Sequence, residues 1–501
     1  MRRRGFLAAA AAMALAGRLK AETGDDMIGQ ARALARSPYR RPAARMAPPF
    51  DALNYDSYRG IRPRPGGGAD IALGGGLRAM LLPPGWLFAD PVEVLPPGAT
   101  EPLTPDAAMF DYDPRYFTAP PGRIGDGTGF SGLRILGPLN RPDRDDEILV
   151  MQGASYFRAL ARGLVYGLSA RALALGTGGP QPEEFPAFRR IALHRPENGR
   201  LRLAALVDSP RAAAAFLVDL APGDETAMDC ELVLFPRVDI ADAGIAPLTS
   251  MFFFGPMGPG FADDFRPAVH DSDVLWMHNG AGERLWRPLA NPAAVQMSGF
   301  ADNAPRAFGL LQTARGFGDF RDAAGAYHRR PDAWVEPLGD WGPGAVHLLE
   351  IPTIDEYADN IAAFWRPAGV LAGGGEYRFA YRLVWAGAPP PDDLPLRPAR
   401  SMSGVEPLHR QGRLFVIDFA GRADPAMLSL HAEVQGGTGQ ISGETLYPLP
   451  ETGEIRASFV FEPAPGATVA ELRVSLRHRA GSQPAAPVWL HRWTPARDGG
   501  V

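Results

Sequence analysis

Glycine and proline together supply 109 of the 501 residues, so a helix breaker falls about every fifth position. Inside a helix a glycine costs ~1 kcal/mol and a proline ~3 kcal/mol relative to alanine, which excludes long helices, helical bundles and coiled coils. Short strands joined by many turns remain, and the expectation is an all-β chain. Apolar residues at 46% and charged residues at 21% are ordinary globular values, so a large core can form and wholesale disorder is excluded. The length exceeds one ordinary domain and points to two or three. A net charge of −5 offers no polybasic surface, so neither nucleic acid nor anionic lipid is an expected partner.

The N-terminus reads as an address. Arg2, Arg3 and Arg4 precede Gly5-Phe6-Leu7, and a run of small apolar residues continues to Ala16. That run is too short to span a bilayer but suits the apolar core of a signal peptide, with Ala14-Leu15-Ala16 as the cleavage signal. The Arg3-Arg4-Gly5-Phe6-Leu7 word fits twin-arginine export. The expectation is therefore a cleaved leader over residues 1–16, extending at most to about 21, and a periplasmic mature chain. Cys230 is the only cysteine, which excludes an internal disulfide and any cysteine-built metal centre. The nine histidines show no H-x-H or H-E-x-x-H spacing. No metal and no cofactor is expected.

Behind the leader, Asp25–Ser37 reads as one short amphipathic helix with Ile28, Ala31 and Leu34 on a stripe. From Glu376 to Trp385, Tyr377, Phe379, Tyr381, Leu383 and Trp385 alternate with Arg378 and Arg382, the pattern of a half-buried strand. Five prolines between Pro389 and Pro398 then stiffen the chain and remove backbone donors, which marks a linker over 387–400. The stretch 401–497 has the length of a small β-sandwich. Its alternating Ile455/Ala457/Phe459/Phe461 and Leu472/Val474/Leu476 sets suggest an immunoglobulin-like sandwich lacking the cysteine pair of antibody domains. The domain expectation is thus 22–386 and 401–497.

Several chemistries are absent from the pattern. Gly153-Ala154-Ser155-Tyr156-Phe157 fails the nucleophile-elbow word at its last position, and Lys20 is the sole lysine, so no P-loop or Schiff-base lysine exists beyond the leader. The glycine runs Gly66–Gly68 and Gly74–Gly76 lack the strand–turn–helix context of a dinucleotide site. Between residues 264 and 366, however, carboxylates are interleaved with aromatics and arginines: His270-Asp271-Ser272-Asp273, Trp286-Arg287-Pro288, Tyr327 to Pro331, Trp334, Asp340-Trp341, Glu356 and Asp359. Aromatic rings stack on pyranose faces, while acids, amides and guanidiniums bind hydroxyls. Glycoside hydrolysis further needs two carboxyl groups. On these grounds alone a carbohydrate-active enzyme and a large exported binding protein stand level.

The words Asn54-Tyr55-Asp56-Ser57-Tyr58-Arg59-Gly60-Ile61-Arg62, Gly153 to Arg158, Tyr166 to Arg171, Gly244 to Phe252, His270 to Asp273, Trp286 to Leu289, Phe308 to Gln312, Arg330 to Pro337, Gly339 to Gly342, Glu350 to Thr353 and Asp359-Asn360-Ile361 carry a resemblance. In collinear order over nearly the whole mature chain, they resemble the exported glucan biosynthesis family that comprises OpgG and OpgD. The resemblance implies a large N-terminal galactose-mutarotase-like β-sandwich, a small C-terminal immunoglobulin-like β-sandwich, and a role in making osmoregulated periplasmic glucans with a β-1,2-linked backbone. The twin-arginine leader leans toward the OpgD-like branch.

Family members with an assigned activity look like anomer-inverting endo-β-1,2-glucanases. Carried over onto the matching words, Asp359 is the expected general acid and Asp271 the expected general base, with protons passing through a water or a sugar hydroxyl. Tyr327 and Glu356 match supporting positions. Arg287, Arg330, Trp334, Asp340, Trp341 and Asp273 are expected to contact sugar, and Trp365 with Tyr357 to bury Asp359 in part. β-1,2-Glucan is the expected partner, the membrane glucan glucosyltransferase a further one, and a homodimer is compatible with the resemblance. The rival expectation is a non-catalytic glucan-binding protein working beside that glucosyltransferase. Thr313-Ala314-Arg315-Gly316 and Pro63-Arg64-Pro65 depart from the family pattern.

Overall fold

The computed structural model describes residues 22–258, 263–408, 412–481 and 483–499; the expected leader over residues 1–16 lies outside them. Strands dominate, and the chain forms two compact units. One comprises Met1–Pro247, Val335–Gly344 and Trp365–Ala386; the other comprises Leu248–Trp334, Ala345–Phe364 and Gly387–Val501.

In the first unit, Leu201–Asp208, Ala212–Ala221, Thr226–Pro236 and Tyr377–Ala386 pair antiparallel in that order, with Ala187–Leu193 beside the first. A second antiparallel set runs through Asp70–Gly74, Leu77–Leu82, Gly132–Arg141, Arg144–Gln152, Tyr156–Ala159 and Ser169–Arg171. Their inner faces meet where Phe157 and Phe216 lie 5.5 Å apart, the side-chain layer of a β-sandwich. Tyr377–Ala386 buries Phe379, Tyr381, Leu383 and Trp385, as its alternation dictates. Cys230 is a buried filler of the neighbouring strand. The helix Glu22–Ala35 seals one face of the first set: Met27, Ile28 and Ala31 recur at helical spacing and bury against Leu206, Leu217, Val233 and Phe235.

In the second unit, Val274–His278 lies between Arg284–Pro288 and Ala307–Leu311, antiparallel to both. Val488–Trp493 adds to Arg284–Pro288 in parallel, and Ala470–His478 and Leu428–Gly437 follow antiparallel. A four-stranded sheet of Leu396–Val405, Arg413–Gly421, Glu454–Pro463 and Gly439–Leu449 faces these last three strands. Phe415 and Phe459 stack at 5.3 Å and both meet Trp489, so the two sheets share one aromatic core. Among the described residues, 396–493 therefore make the two-sheet architecture expected of an immunoglobulin-like sandwich. Its first strand begins at Leu396, inside the proline-rich stretch. That strand is an edge, and its register shifts between Pro398 and Arg400, the setting in which a residue without an N–H is tolerated.

Candidate active site

The second unit gathers its chemistry around the short hairpin of Phe252–Phe254 and Val269–His270, in which Phe252 is paired with His270. The pairing continues past the strand: the Asp271 amide donates to the Met251 carbonyl at 2.8 Å. His270 stacks on Phe252 at 5.6 Å and meets the edge of Phe320 at 5.0 Å. Burial holds its imidazole below the ordinary histidine range, so it packs as a neutral ring. Met251, Ala268, Val269, Phe320 and Tyr327 form the apolar cluster beneath.

On this base sits a group of alternating charges and rings. Asp271, only 4% exposed, accepts a close hydrogen bond from Arg330 Nη1. The Arg330 guanidinium lies 3.9 Å over the centre of the Tyr327 ring. Tyr327 occupies the first position of a 3-10 turn, and burial raises its hydroxyl above the ordinary phenol range while Arg330 opposes the shift. The Glu356 carboxylate adds to that rise. Glu356 in turn pairs with Arg266 at 2.6 Å, and Arg266 also holds Asp264 at 2.6 Å and Asp322 at 2.8 Å. Three carboxylates around one guanidinium raise its pKa further, the Asp264 hydrogen bond first among the causes.

Asp359 stands exposed on the loop Ile351–Asn360, and the next residue ties it to the base side of the cluster. Asn360 is 2% exposed and spends its amide on backbone: Nδ2 donates to the carbonyls of Phe252 and Ile351, each at 3.0 Å, and Oδ1 accepts from the Phe252 amide at 2.8 Å. A second asparagine repeats the device. Asn291 Nδ2 donates to Thr353 O at 2.8 Å and Phe253 O at 3.1 Å, and its Oδ1 accepts from the Thr353 amide at 2.9 Å. Both clamps fasten the loop to the strand Phe252–Phe254, whose first residue pairs with His270. A hydrogen-bonded path thus runs from Asp359-Asn360, by the Asn360 side chain, through Phe252 to His270-Asp271, joining acids 88 positions apart in the chain. A cavity of about 650 Å³ opens alongside, walled by Phe253, Phe254, Asp264, Asn291, Thr353 and Ile354.

Of the expected site residues, Asp271 touches Arg330 and Arg330 touches Tyr327, Arg266 links Tyr327 to Glu356, and Asp359 joins them through Asn360. Asp273 is engaged by the Thr313 amide at 2.8 Å and by its hydroxyl, on the wall of a second cavity of about 520 Å³. Arg287 is 1% exposed and paired with the fully buried Glu350 at 3.2 Å, and Trp334 is 2% exposed. Asp340 and Trp341 belong to the first unit, where Asp340 accepts from the Gly342 amide and Trp341 packs on Phe379 and Tyr381. The partial burial expected around Asp359 is corrected: Tyr357 is 88% exposed and Asp359 itself is exposed, because the loop between its two clamps projects outward. Asn291 and Asn360 carry no role in the sequence reading, since an asparagine that binds distant backbone leaves no local pattern.

Fold and site together define an all-β sandwich protein whose acids, guanidiniums and rings suit a polyhydroxylated ligand. The family model described as "Periplasmic glucan biosynthesis protein, MdoG" matches residues 23–493. The Glucans biosynthesis protein G of Vibrio cholerae is 43% identical over 483 residues, spanning 94% of this chain and 86% of that protein. Its namesake from Shewanella frigidimarina is 41% identical over 485 residues (94% and 84%), and Glucans biosynthesis protein G 1 of Shewanella oneidensis 41% over 482 residues (94% and 87%). The chain belongs to the MdoG family of periplasmic glucan biosynthesis proteins. These relatives carry the G designation, where the expectation from the leader was the D-like branch. No helix among the described residues is long and apolar enough to cross a membrane.

Proposed function

We propose that the chain is an anomer-inverting endo-β-1,2-glucanase acting on periplasmic glucan, with Asp359 as general acid and Asp271 as general base. The observation that carries this reading is the Asn360–Phe252 link, which couples the two acids through the Asn360 side chain and the Phe252–His270 strand pair while leaving one exposed and the other buried. Inversion requires carboxyl groups ~6.5–9.5 Å apart so that a water fits between base and anomeric carbon. Asp271 lies beneath Arg330, which suits a base that receives its proton through an intervening water or sugar hydroxyl. A glucan over the loop supplies the desolvation that Asp359 needs to keep its proton near neutral pH. Glu356, held by Arg266, and Tyr327 orient hydroxyls of the sugar at the cleavage point. The same reading has a cleaved twin-arginine leader, a glucan-handling domain over 22–386 and an accessory sandwich over 401–497.

Reducing-end release from linear β-1,2-glucan by the wild type, Asp271→Asn and Asp359→Asn tests it. Loss of release in both variants with retained glucan binding supports the assignment; equal rates in all three end it. One observation favours a second reading. Asp271 and Glu356 both face guanidiniums, as carboxylates that only bind hydroxyls also do. In that case the protein holds glucan for the membrane glucosyltransferase, and the wild type binds it without releasing reducing ends.

A further inference from the structure

The word Asn54–Arg62 plays no part in the site above, yet it builds a distinctive surface on the first unit. Asn54 caps the short helix Tyr55–Arg59 with a reciprocal hydrogen-bond pair to Ser57. Tyr55 at its start is 52% exposed, and the ring of Trp86, 37% exposed, lies 5.4 Å away. Tyr58 and Phe88 back the tryptophan at 5.9 and 5.8 Å. Tyr58 is itself fixed: its hydroxyl donates to Pro83 O at 3.0 Å, accepts from Gln152 Nε2 at 2.8 Å and lies 3.2 Å from Ser131 Oγ. At the other end of the helix, exposed Tyr116 sits against Gly60.

The backbone beneath Trp86 is strained. Gly85 and Phe88 close a tight turn with N–H to carbonyl bonds of 3.0 and 2.9 Å, and Trp86 takes its first central position at φ +53°. Glycine ordinarily supplies that conformation, and for a bulky side chain it is an outlier. Strain of this kind persists only where the surroundings hold it, and it clusters at active sites and ligand-binding surfaces. Two arginines in this region are neutralised, Arg41 by Asp90 at 3.0 Å and Arg115 by Asp113 at 2.6 Å, and Arg59 lies 5.3 Å over Tyr55. A neutral, ring-bearing, hydroxylated occupant fits this surface better than an anionic lipid or an acidic peptide.

We propose that Tyr55 and Trp86 form a non-catalytic platform on which glucose rings of a long glucan stack, a second binding site on the chain. The occupant rests on the glucan reading above; the platform geometry does not. The test measures binding of long linear β-1,2-glucan and turnover of a short β-1,2-gluco-oligosaccharide by the wild type, Tyr55→Ala, Trp86→Ala and Trp86→Gly, with the melting temperature of each. The expected result is about tenfold weaker binding of long glucan in all three variants, equal to about 1.4 kcal/mol, with short-substrate turnover unchanged. Trp86→Gly should keep or raise the melting temperature, because glycine relieves the φ +53° turn.

Unchanged long-glucan binding in all variants overturns the platform, as does a fall in melting temperature for Trp86→Gly, which marks a structural ring. Loss of self-association, or of binding to zwitterionic vesicles, without loss of glucan binding assigns the patch to another occupant and overturns it too. If the wild type binds no long glucan, both this proposal and the glucan reading fall. If it turns over the short substrate while the variants bind normally, the platform alone falls.

Discussion

Replacing Asn360 with alanine removes three hydrogen bonds at once. The amide serves the carbonyls of Phe252 and Ile351 and the N–H of Phe252, in a position 2% exposed to solvent. Each such bond contributes ~1 kcal/mol net, and a buried backbone N–H left unpaired costs a further ~1–3 kcal/mol, so the clamp contributes roughly 4–6 kcal/mol to holding the loop in place. The bond from the Ile351 amide to the Asn360 carbonyl at 2.9 Å and the Asn291 clamp on Thr353 remain, so the loop stays attached while Asp359 loses its fixed relation to Phe252. Misplacement of a catalytic group by about 1 Å costs ~100-fold in rate. The expected outcome is a kcat on β-1,2-glucan lowered ~100-fold or more with KM little changed. Faster hydrogen exchange at the Phe252 amide should accompany it, measured by NMR or mass spectrometry. Asn360→Asp keeps the acceptor but sets a carboxylate against two carbonyls, and is expected to be no better than alanine. Full activity in Asn360→Ala together with accelerated exchange at Phe252 would refute the argument that this link positions the acid.

Arg330→Met strips the counter-charge from the buried Asp271 and the cation from the face of Tyr327. Breaking a buried pair from one side costs ~3–5 kcal/mol, so both stability in urea and glucan hydrolysis should fall. His491, fully buried against Trp489 and Phe415, has its pKa pushed down to about 4 by burial. The unfolded chain therefore binds a proton that the folded chain does not between pH 6.5 and about 4, and the stability present above 6.5 is lost as pH falls through that window. Across it the contribution is of order 3 kcal/mol. Melting temperature against pH should show the loss, and His491→Phe, which keeps the stacking, should flatten it. Ala31→Glu places a carboxylate where the N-terminal helix is fully buried, and should cost a few kcal/mol in chemical denaturation without altering the site.

Much of the fold was legible because strand burial writes a two-residue period. Tyr377–Ala386 and Glu454–Pro463 were readable from alternation alone, and the helix Glu22–Ala35 from Ile28 and Ala31, although Met27 is buried where Leu34 is only partly so. The strand beginning at Leu396 was hidden by prolines, which an edge position with a shifted register accommodates. For the site, the resemblance supplied Asp271, Glu356, Tyr327 and Asp359, while Arg330 came from residue type alone. Residue type served less well for Arg287 and Trp334. The same arginine and tryptophan serve a buried pair with Glu350 and a strand interior, and nothing local separates those settings from a sugar contact. Asn291 and Asn360 were illegible for a different reason: apart from Ile351, their partners lie 38 to 108 positions away, beyond any sequence window.

The anomeric form of the first-formed reducing ends, followed by polarimetry or proton NMR on linear β-1,2-glucan before mutarotation, tests the central claim most directly. Two acids coupled through Phe252 and working by inversion release the α-anomer from a β-linkage. A β-anomeric product, or release undiminished in Asp359→Asn, would contradict the account.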